Sequence, residues 1–552
     1  ADPSVLNLTA FEQFFAEKRP FFLEGAGIFK DQLDCFQGAC NTSFYSRRIG
    51  RAPQLAYLYG GAGTRQGTTI LAATKLTGRL SNGLSVGFLD AVTDRVTGPG
   101  GQTVEPQTNY FVGRLTQDFR NGNSTLGVML TATDRTLDTW SRDSLRRSGY
   151  TAGIDGRHRF GHNDYELAGF LVGTNVNGTA AAIASTQRDA VHFYERPDAH
   201  FGFDSTRTSL DGYSAQLSIA KTGGGITRFN SFVTQTSVGF ELNDLGFLTR
   251  ADTRSLGNSF GLQFQKPTSW YRFADVNANW FNSWNTEGLP LESSGGLSGD
   301  LQFPNQWWVH AGVDELNVGR VYDDRAARGG PAIPWLPSRE YFASIEADSR
   351  WRIQPMLGMS VRAKDASGTW SFEFDPSVHM VLSSQLQASV AAAFLRQVRD
   401  AQWNGNFDTL GVRHYTFARL DQTLTATVVR LDFTATPTLT LQLYASPFIT
   451  NGTYSDWREL SGTPRADGYA DRFKPFTLRG NPGGFNVKQF RSNTVLRWEF
   501  RPGSTIFLVW TQGRDQSGLN DGTFNVGKDA SNLFRVMPDN GFLIKTSYWF
   551  NF

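Results

Sequence analysis

The sequence closes on Phe542-Leu543-Ile544-Lys545-Thr546-Ser547-Tyr548-Trp549-Phe550-Asn551-Phe552, and its alternation decides the fold. Read as a strand, it puts Phe542, Ile544, Thr546, Tyr548, Phe550 and Phe552 on one face and Leu543, Lys545, Ser547, Trp549 and Asn551 on the other, because successive side chains of a strand point to opposite faces. An apolar, aromatic row backed by a wetter one suits a strand with lipid on one side and an aqueous interior on the other. Bacterial outer-membrane barrels end in this way. Phe542, Ile544, Tyr548, Phe550 and Phe552 resemble the signal read by the outer-membrane assembly machinery, which is therefore an expected partner along with the membrane lipid. The competing reading is the edge strand of a soluble sandwich.

Composition fits a barrel and excludes helical membrane spans. No run approaches the ~18 consecutive apolar residues of a transmembrane helix. Hydrophobic residues make up only 39% of the 552, and the mean hydropathy is −0.35, as expected when half of every strand faces water. The 44 Phe, 16 Tyr and 14 Trp suit aromatic girdles at both interfaces. The 57 Gly suit many short strands and turns. Fifty-three basic and 51 acidic residues leave a net charge of +2, with no basic block to suggest nucleic acid as a partner. Cys35 and Cys40 are the only cysteines. Their spacing is that of a small disulfide loop, favoured by an oxidising envelope compartment; a closed metal site would need four ligands.

From residue 68 onward, runs of about 9 to 14 alternating residues recur. Leu126, Val128, Leu130 and Ala132 oppose Thr125, Gly127, Thr131 and Thr133. Trp270, Ala274, Val276, Ala278 and Trp280 oppose Asp275, Asn277 and Asn279, and Leu496, Trp498 and Phe500 oppose Arg497 and Glu499. Short turns fall at 81–83, 121–123, 161–163, 222–225, 435–437 and 501–504. Long connections are expected over 92–106, 136–148, 176–210, 240–257, 318–340, 399–411, 451–486 and 515–540. Barrels of this kind keep short turns periplasmic and long loops outside. The count from residue 68 is about 21 strands, and both chain ends lie in the periplasm only if the number is even. Gln54 to Gly60 is then the first strand and the seam partner of the last, for about 22 strands. The run Arg413 to Thr434 reads as one strand projecting beyond the bilayer, with a bulge at Val428-Val429. The expected architecture is all-β: a transmembrane antiparallel up-and-down β-barrel of about 22 strands over residues 54–552, with residues 1–53 as a short N-terminal plug or periplasmic collar.

In that segment Phe11, Phe14, Phe15, Phe21, Phe22 and Phe29 alternate with Glu12, Glu17, Lys18, Arg19, Glu24 and Lys30, too aromatic a pattern for a disordered tail. As a plug it would place Arg47, Arg48 and Arg51 against acidic lumen residues, since a buried guanidinium needs carboxylate partners. Glu17 and Glu24 are further candidates. The stretches Asn7-Leu8-Thr9-Ala10-Phe11-Glu12, Glu17-Lys18-Arg19-Pro20-Phe21-Phe22-Leu23-Glu24-Gly25 and Phe44-Tyr45-Ser46-Arg47-Arg48-Ile49-Gly50 resemble an uncharacterised family of bacterial outer-membrane barrel proteins. Thr436 to Tyr444 and Leu496 to Thr505 extend the likeness along the chain. The resemblance implies an upstream carbohydrate-binding family 9-like domain, absent from this sequence, and carries no activity.

Two Gly-x-Ser-x-Gly matches, at Gly83–Gly87 and Gly257–Gly261, carry Ser85 and Ser259. That motif works only at a strand-turn-helix elbow, and no helix follows either. His192 and His200 share a loop with Glu195, Asp198 and Asp204, read as solvated loop polarity rather than a metal site. No enzymatic activity, cofactor or metal is expected. The functional expectation is a channel or transporter of the bacterial outer membrane whose lumen is restricted by loops and residues 1–53. The alternative is a non-conducting anchor or scaffold for other envelope proteins.

Overall fold

The structure is a computed structural model that describes residues 4–550 except 32, 34, 37–38, 62, 481 and 519–522. The terminal Phe552 of the predicted assembly signal lies outside the described residues. Twenty-two strands form one closed barrel, in which Asp539–Ser547 stands beside Ile70–Arg79. Every ladder from the first strand round to the last is antiparallel between neighbours in the chain. One member, Phe473–Pro475, is three residues long and pairs only with the far end of Leu439–Leu460. Without it, twenty-one strands of nine or more residues remain, each long enough to cross a bilayer.

That odd number corrects the parity argument. Gln54 to Gly60 is not a strand: Ala56–Tyr59 forms a single helical turn, with the Leu55 amide bonded to the Val104 carbonyl at 2.9 Å. The seam partner of the C-terminal strand is therefore Ile70–Arg79. With twenty-one crossings the first and last strands run the same way, so the N-terminal segment meets the barrel at its loop end while the C-terminal strand finishes at the turn end.

Connections at one end are short, as at 80–83, 120–123, 161–164, 437–438 and 502–503. At the other they include 94–107, 136–147, 178–208, 237–252, 317–337, 461–483 and 517–538. The expected long connection over 399–411 does not form. Leu386–Thr409 and Val412–Thr436 instead run on as one hairpin whose turn is Leu410-Gly411, with both residues at positive φ. The projecting strand expected near Arg413 is therefore Val412–Thr436, but no bulge lies at Val428-Val429. The register with Leu439–Leu460 is unchanged across that point, and the shifts fall at Phe417/Arg419 and Thr434/Thr436. Pairing lapses at 427 and 428 because Pro447, opposite, has no N–H to give.

Alternation separates the two faces. On Ser124–Arg135, Leu126, Val128 and Leu130 are exposed outward while Met129, Thr131 and Thr133 are buried inward. In a soluble protein an outer surface with Leu76, Leu115, Leu167, Leu217, Val233 and Leu297 exposed would be an aggregation hazard; around a barrel it is the lipid-facing band. On Asp539–Ser547 Phe542 and Ile544 belong to that band and are exposed, as are Tyr548 and Phe550 just beyond it.

Candidate functional site

The interior is occupied. The Leu8 and Thr9 carbonyls accept from Arg328 Nη2 (3.1 and 3.0 Å), and the Leu8 carbonyl also from Gln402 Nε2 (3.1 Å), far up the projecting hairpin. The segment then descends. Pro20–Leu23 makes one helical turn with Pro at its start, where the missing N–H costs nothing. Lys75 Nζ donates to the Phe21 and Glu24 carbonyls. Phe22, Phe29 and Ile49 join Leu89, Ala91, Tyr110, Val112 and Met129 of the wall in one buried cluster. A Cβ on Gly87 would stand 2.7 Å from Ile28 and 2.9 Å from Phe29, so this glycine of the first Gly-x-Ser-x-Gly match serves packing. Neither Ser85 nor Ser259 stands at an elbow: Ser85 is the second residue of a strand that runs on to Thr93, and Ser259 is mid-strand.

The predicted basic residues part company. Arg48 is buried and pairs with Glu12 of the segment itself (2.7 Å), donating also to Gly246 O at 2.9 Å and Asn243 Oδ1 at 2.9 Å. Arg47 donates to Ala16 O at 3.0 Å and lies over the Phe15 ring. Arg51 faces Glu105 and Asp244 at longer range, and burial holds its pKa below the usual value. Glu17 pairs with Arg19 (2.6 Å) and accepts from Ser46 Oγ; although burial opposes ionisation, these partners bring its carboxyl down to about 2. The Glu24 side chain is exposed, and its carbonyl is what contacts the wall. Cys35 and Cys40 are opposite each other in a two-residue ladder, and Cys40 is disulfide-bonded.

Loops close the upper interior. Residues 237–252 fold back onto the inner wall so tightly that a Cβ on Gly212 would stand 2.1 Å from the Phe240 nitrogen. They also bridge to the segment through Thr42 and Phe247, whose amides and carbonyls exchange bonds of 3.0 and 2.8 Å. Two ionic clusters pin them. Asp244 pairs with Arg135 (2.7 Å) and Arg146 (2.9 Å), and Arg146 also reaches Glu241 (3.2 Å). In the second, fully buried Asp324 receives Arg196, Arg250 (2.8 Å) and Arg325 (2.9 Å), one guanidinium from each of the loops 178–208, 237–252 and 317–337. Asp198 adds the loop 461–483 through Arg465 and takes the Ala332 amide at 2.7 Å. Despite burial, the guanidinium charges hold Asp244 and Asp324 well below the usual carboxylate range.

His192 is not the solvated loop residue the sequence suggests. It is fully buried, with Nδ1 2.9 Å from the Val238 carbonyl and Nε2 3.2 Å from Glu241. Both neighbours are acceptors, so both ring nitrogens carry protons and the ring is cationic. Burial works against that charge, but the Glu241 bond and the field of Asp189 outweigh it and raise the pKa above 6.5. Asp189, His192 and Glu241 bring ligand atoms within 4.8 Å of one another. With Arg146 already on Glu241 and Val238 on Nδ1, the site suits a proton better than a metal ion. The pairings of Glu12, Glu241, Asp244 and Asp324 were missed from sequence, since apart from Arg325 beside Asp324 their partners lie far away in the chain and no local spacing marks them.

Below this cover lies a chamber of about 1480 Å³, lined by Phe22, Phe29 and Phe44 of the segment and by Arg114, Asp155, Arg157, Glu166, Gln216 and Asn230 of the wall. Asp31 borders it, its pKa raised by burial against hydrogen bonds from Thr42 and Ser43. Across the lumen, the strands from Phe273–Trp284 to Trp370–Val381 turn Asp275, Asp300, Asp314, Glu340, Glu373 and Asp375 inward. Asp275 stands directly opposite Asp300, and Asp314 opposite Glu340. Among the described residues, none of the segment's hydrogen bonds reaches these strands.

The model of the family described as Domain of unknown function (DUF5916) matches residues 1–552. Comparison with curated proteins finds no matching sequence. Among solved structures, the chain is similar to a ferric enterobactin receptor from Pseudomonas aeruginosa (10% identity, 84% of this chain and 79% of that one, TM-score 0.38). It is also similar to the siderophore receptor PirA from Acinetobacter baumannii (10%, 84% and 80%, TM-score 0.38) and to an anion-selective porin from Comamonas acidovorans (11%, 61% and 91%, TM-score 0.26).

Proposed function

The chain belongs to the DUF5916 family, whose description names no activity, and we propose that it is an outer-membrane channel or transporter held shut by its N-terminal segment and inward-folded loops. One observation carries this reading: a chamber with charged residues on its wall inside a lipid-faced barrel, beneath a cover fastened by buried ion pairs. An anchor gains nothing from an inner wall rich in unpacked carboxylates; a conduction path needs one. The segment acts as the plug, tied to the loop 237–252 by Arg48, which Glu12 holds in place, and solute passes between it and the carboxylate wall once the cover parts. A carbohydrate-binding family 9-like module ahead of residue 4, as the family resemblance implies, would stand on the loop side, where Leu8 and Thr9 are held.

Planar-bilayer recording tests the proposal. The whole chain is expected to show little steady current, and deletion of residues 1–53 or the substitution Asp324→Ala to open it. Absence of current from all three forms, each inserted as a folded barrel, would establish the non-conducting anchor instead.

A further inference from the structure

The loop 517–538 carries a ten-residue helix, Val526–Arg535, that lies against the outside of the barrel rather than over its mouth. Its neighbours fix this. Along Gly484–Arg501 the even-numbered Trp498 and Leu496 face lipid, Trp498 being 49% exposed, and Phe490, Lys488 and Asn486 share their face by the two-residue period. Phe534 of the helix contacts Phe490 with ring centroids 5.1 Å apart. Asp529, buried beneath the helix, pairs with buried Lys488 (3.2 Å) and accepts from Asn486 Nδ2 (3.2 Å).

The helix is firmly built. Asn525 caps its first turn by accepting from the Lys528 amide at 2.9 Å, and Arg514 Nη1 donates to the Phe534 and Val536 carbonyls at its end. Yet one stripe, although Phe534 touches Phe490 at its edge, is left largely uncovered by the described residues. Val526, Ala530 and Phe534 recur every four residues, and Met537 follows. Val526 is 48%, Phe534 50% and Met537 90% exposed. Lys528, Ser531 and Arg535 occupy the opposite arc. Such a division is that of a helix lying in a membrane surface.

The height agrees. Phe490 stands eight residues above Trp498, about 26 Å along the strand and, at barrel tilt, about 20 Å across the apolar band. Phe534 therefore extends the upper aromatic girdle sideways, continuous with the lipid-facing surface.

We infer that Val526–Arg535 is an interfacial helix that lays Val526, Phe534 and Met537 among the acyl chains of the outer leaflet, with Lys528 and Arg535 at headgroup level. This rests on the barrel spanning a membrane, and the test separates the two ideas. Nitroxide labels are placed singly at Met537→Cys, Val526→Cys and Ser531→Cys, with Leu508→Cys on the lipid face and Leu410→Cys at the hairpin tip as references. The protein is reconstituted in phosphatidylethanolamine and phosphatidylglycerol vesicles, and collision with oxygen is compared with collision with a water-soluble nickel chelate. The oxygen preference at 537 and 526 is expected to be severalfold that at 531 and to approach that at 508. If 508 reads as lipid while 537 and 526 match 531 and 410, the interfacial helix is wrong and the barrel reading stands. If 508 matches 410, the membrane reading itself has failed. Should one labelled variant not fold, 526 and 537 report the same stripe independently.

Discussion

On the strands from Ile70–Arg79 to Thr253–Phe264, much of the inner face is dry: Leu89, Ala91, Tyr110, Val112 and Met129 meet Phe22, Phe29 and Ile49, and Phe170 and Val172 meet Phe240, Leu242 and Leu248. From Phe273–Trp284 to Trp370–Val381, the inner face is a row of carboxylates with His310 and Arg362 among them, and among the described residues the N-terminal segment makes no hydrogen bond to it. Both halves use the same antiparallel hairpins and the same apolar exterior. The first wall therefore holds the cover above the chamber that its polar residues line, and the second is left to water along its carboxylate row. Facing carboxylates such as Asp275 and Asp300 repel across a ladder; His310 on Asp300 (2.8 Å) and Asn277 on Asp275 (2.7 Å) relieve part of that cost, and solvent or passing cations can relieve more.

The contrast can be broken at the Asp324 hub, where the largest effect is expected. Asp324→Ala leaves three buried guanidiniums without their common acceptor, a loss of about 3–5 kcal/mol for a buried pair broken from one side. Limited proteolysis should then cut within 178–208 and 317–337 while the strands stay intact. Protection unchanged from the parent would show the hub to be dispensable. Next comes the dry wall: Met129→Ala or Leu89→Ala should cost about 2–5 kcal/mol by transfer and cavity formation, read as a lower denaturant midpoint. Asn277→Ala on the wet side should stay within about 0.5 kcal/mol.

Alkaline pH should act more gently and on the cover alone. Because the folded pKa of His192 lies above 6.5, its contribution is fully present below 6.5 and fades as pH rises through the folded value. Hydrogen exchange within 237–252, corrected for its intrinsic base-catalysed rate, should therefore quicken on going from pH 6 to pH 9, and His192→Gln should abolish that residual dependence. Equal acceleration in the variant would assign the effect to another group. The smallest structural change should come from Asp275→Asn with Asp300→Asn. Exposed charges contribute at most about 1 kcal/mol to stability, so the fold should not respond, whereas cation preference measured by reversal potential in the opened channel should fall. An unaltered reversal potential would move the conduction path off this wall.

The barrel was legible because its rule is local. A period of two, turn residues and alternating connection lengths suffice, and the count of about 21 strands from residue 68 matches the twenty-one long strands found. The twenty-second was supplied by parity, and Gln54 to Gly60 was too short an apolar run to tell a strand from one helical turn. The long connection expected over 399–411 does not form, and Gly405 at φ +131° sits instead at a register shift within a continuing strand. The aromatic N-terminal segment was legible as an ordered element. Its bond to the loop from Arg48 to Gly246 was not, nor was the pairing of His192 with Glu241 between two loops, because each is joined only after the wall has brought distant stretches together.

The odd number of crossings has a topological consequence. The N-terminal segment starts at the loop end near Gln402, dips toward Lys75, and returns to the loop end at Ile70. It is a hairpin hung into the barrel, never a thread drawn through it. Such a segment can leave and re-enter by one mouth without parting any ladder of the wall, so in the proposed channel opening and closing would reduce to lifting a tethered cork.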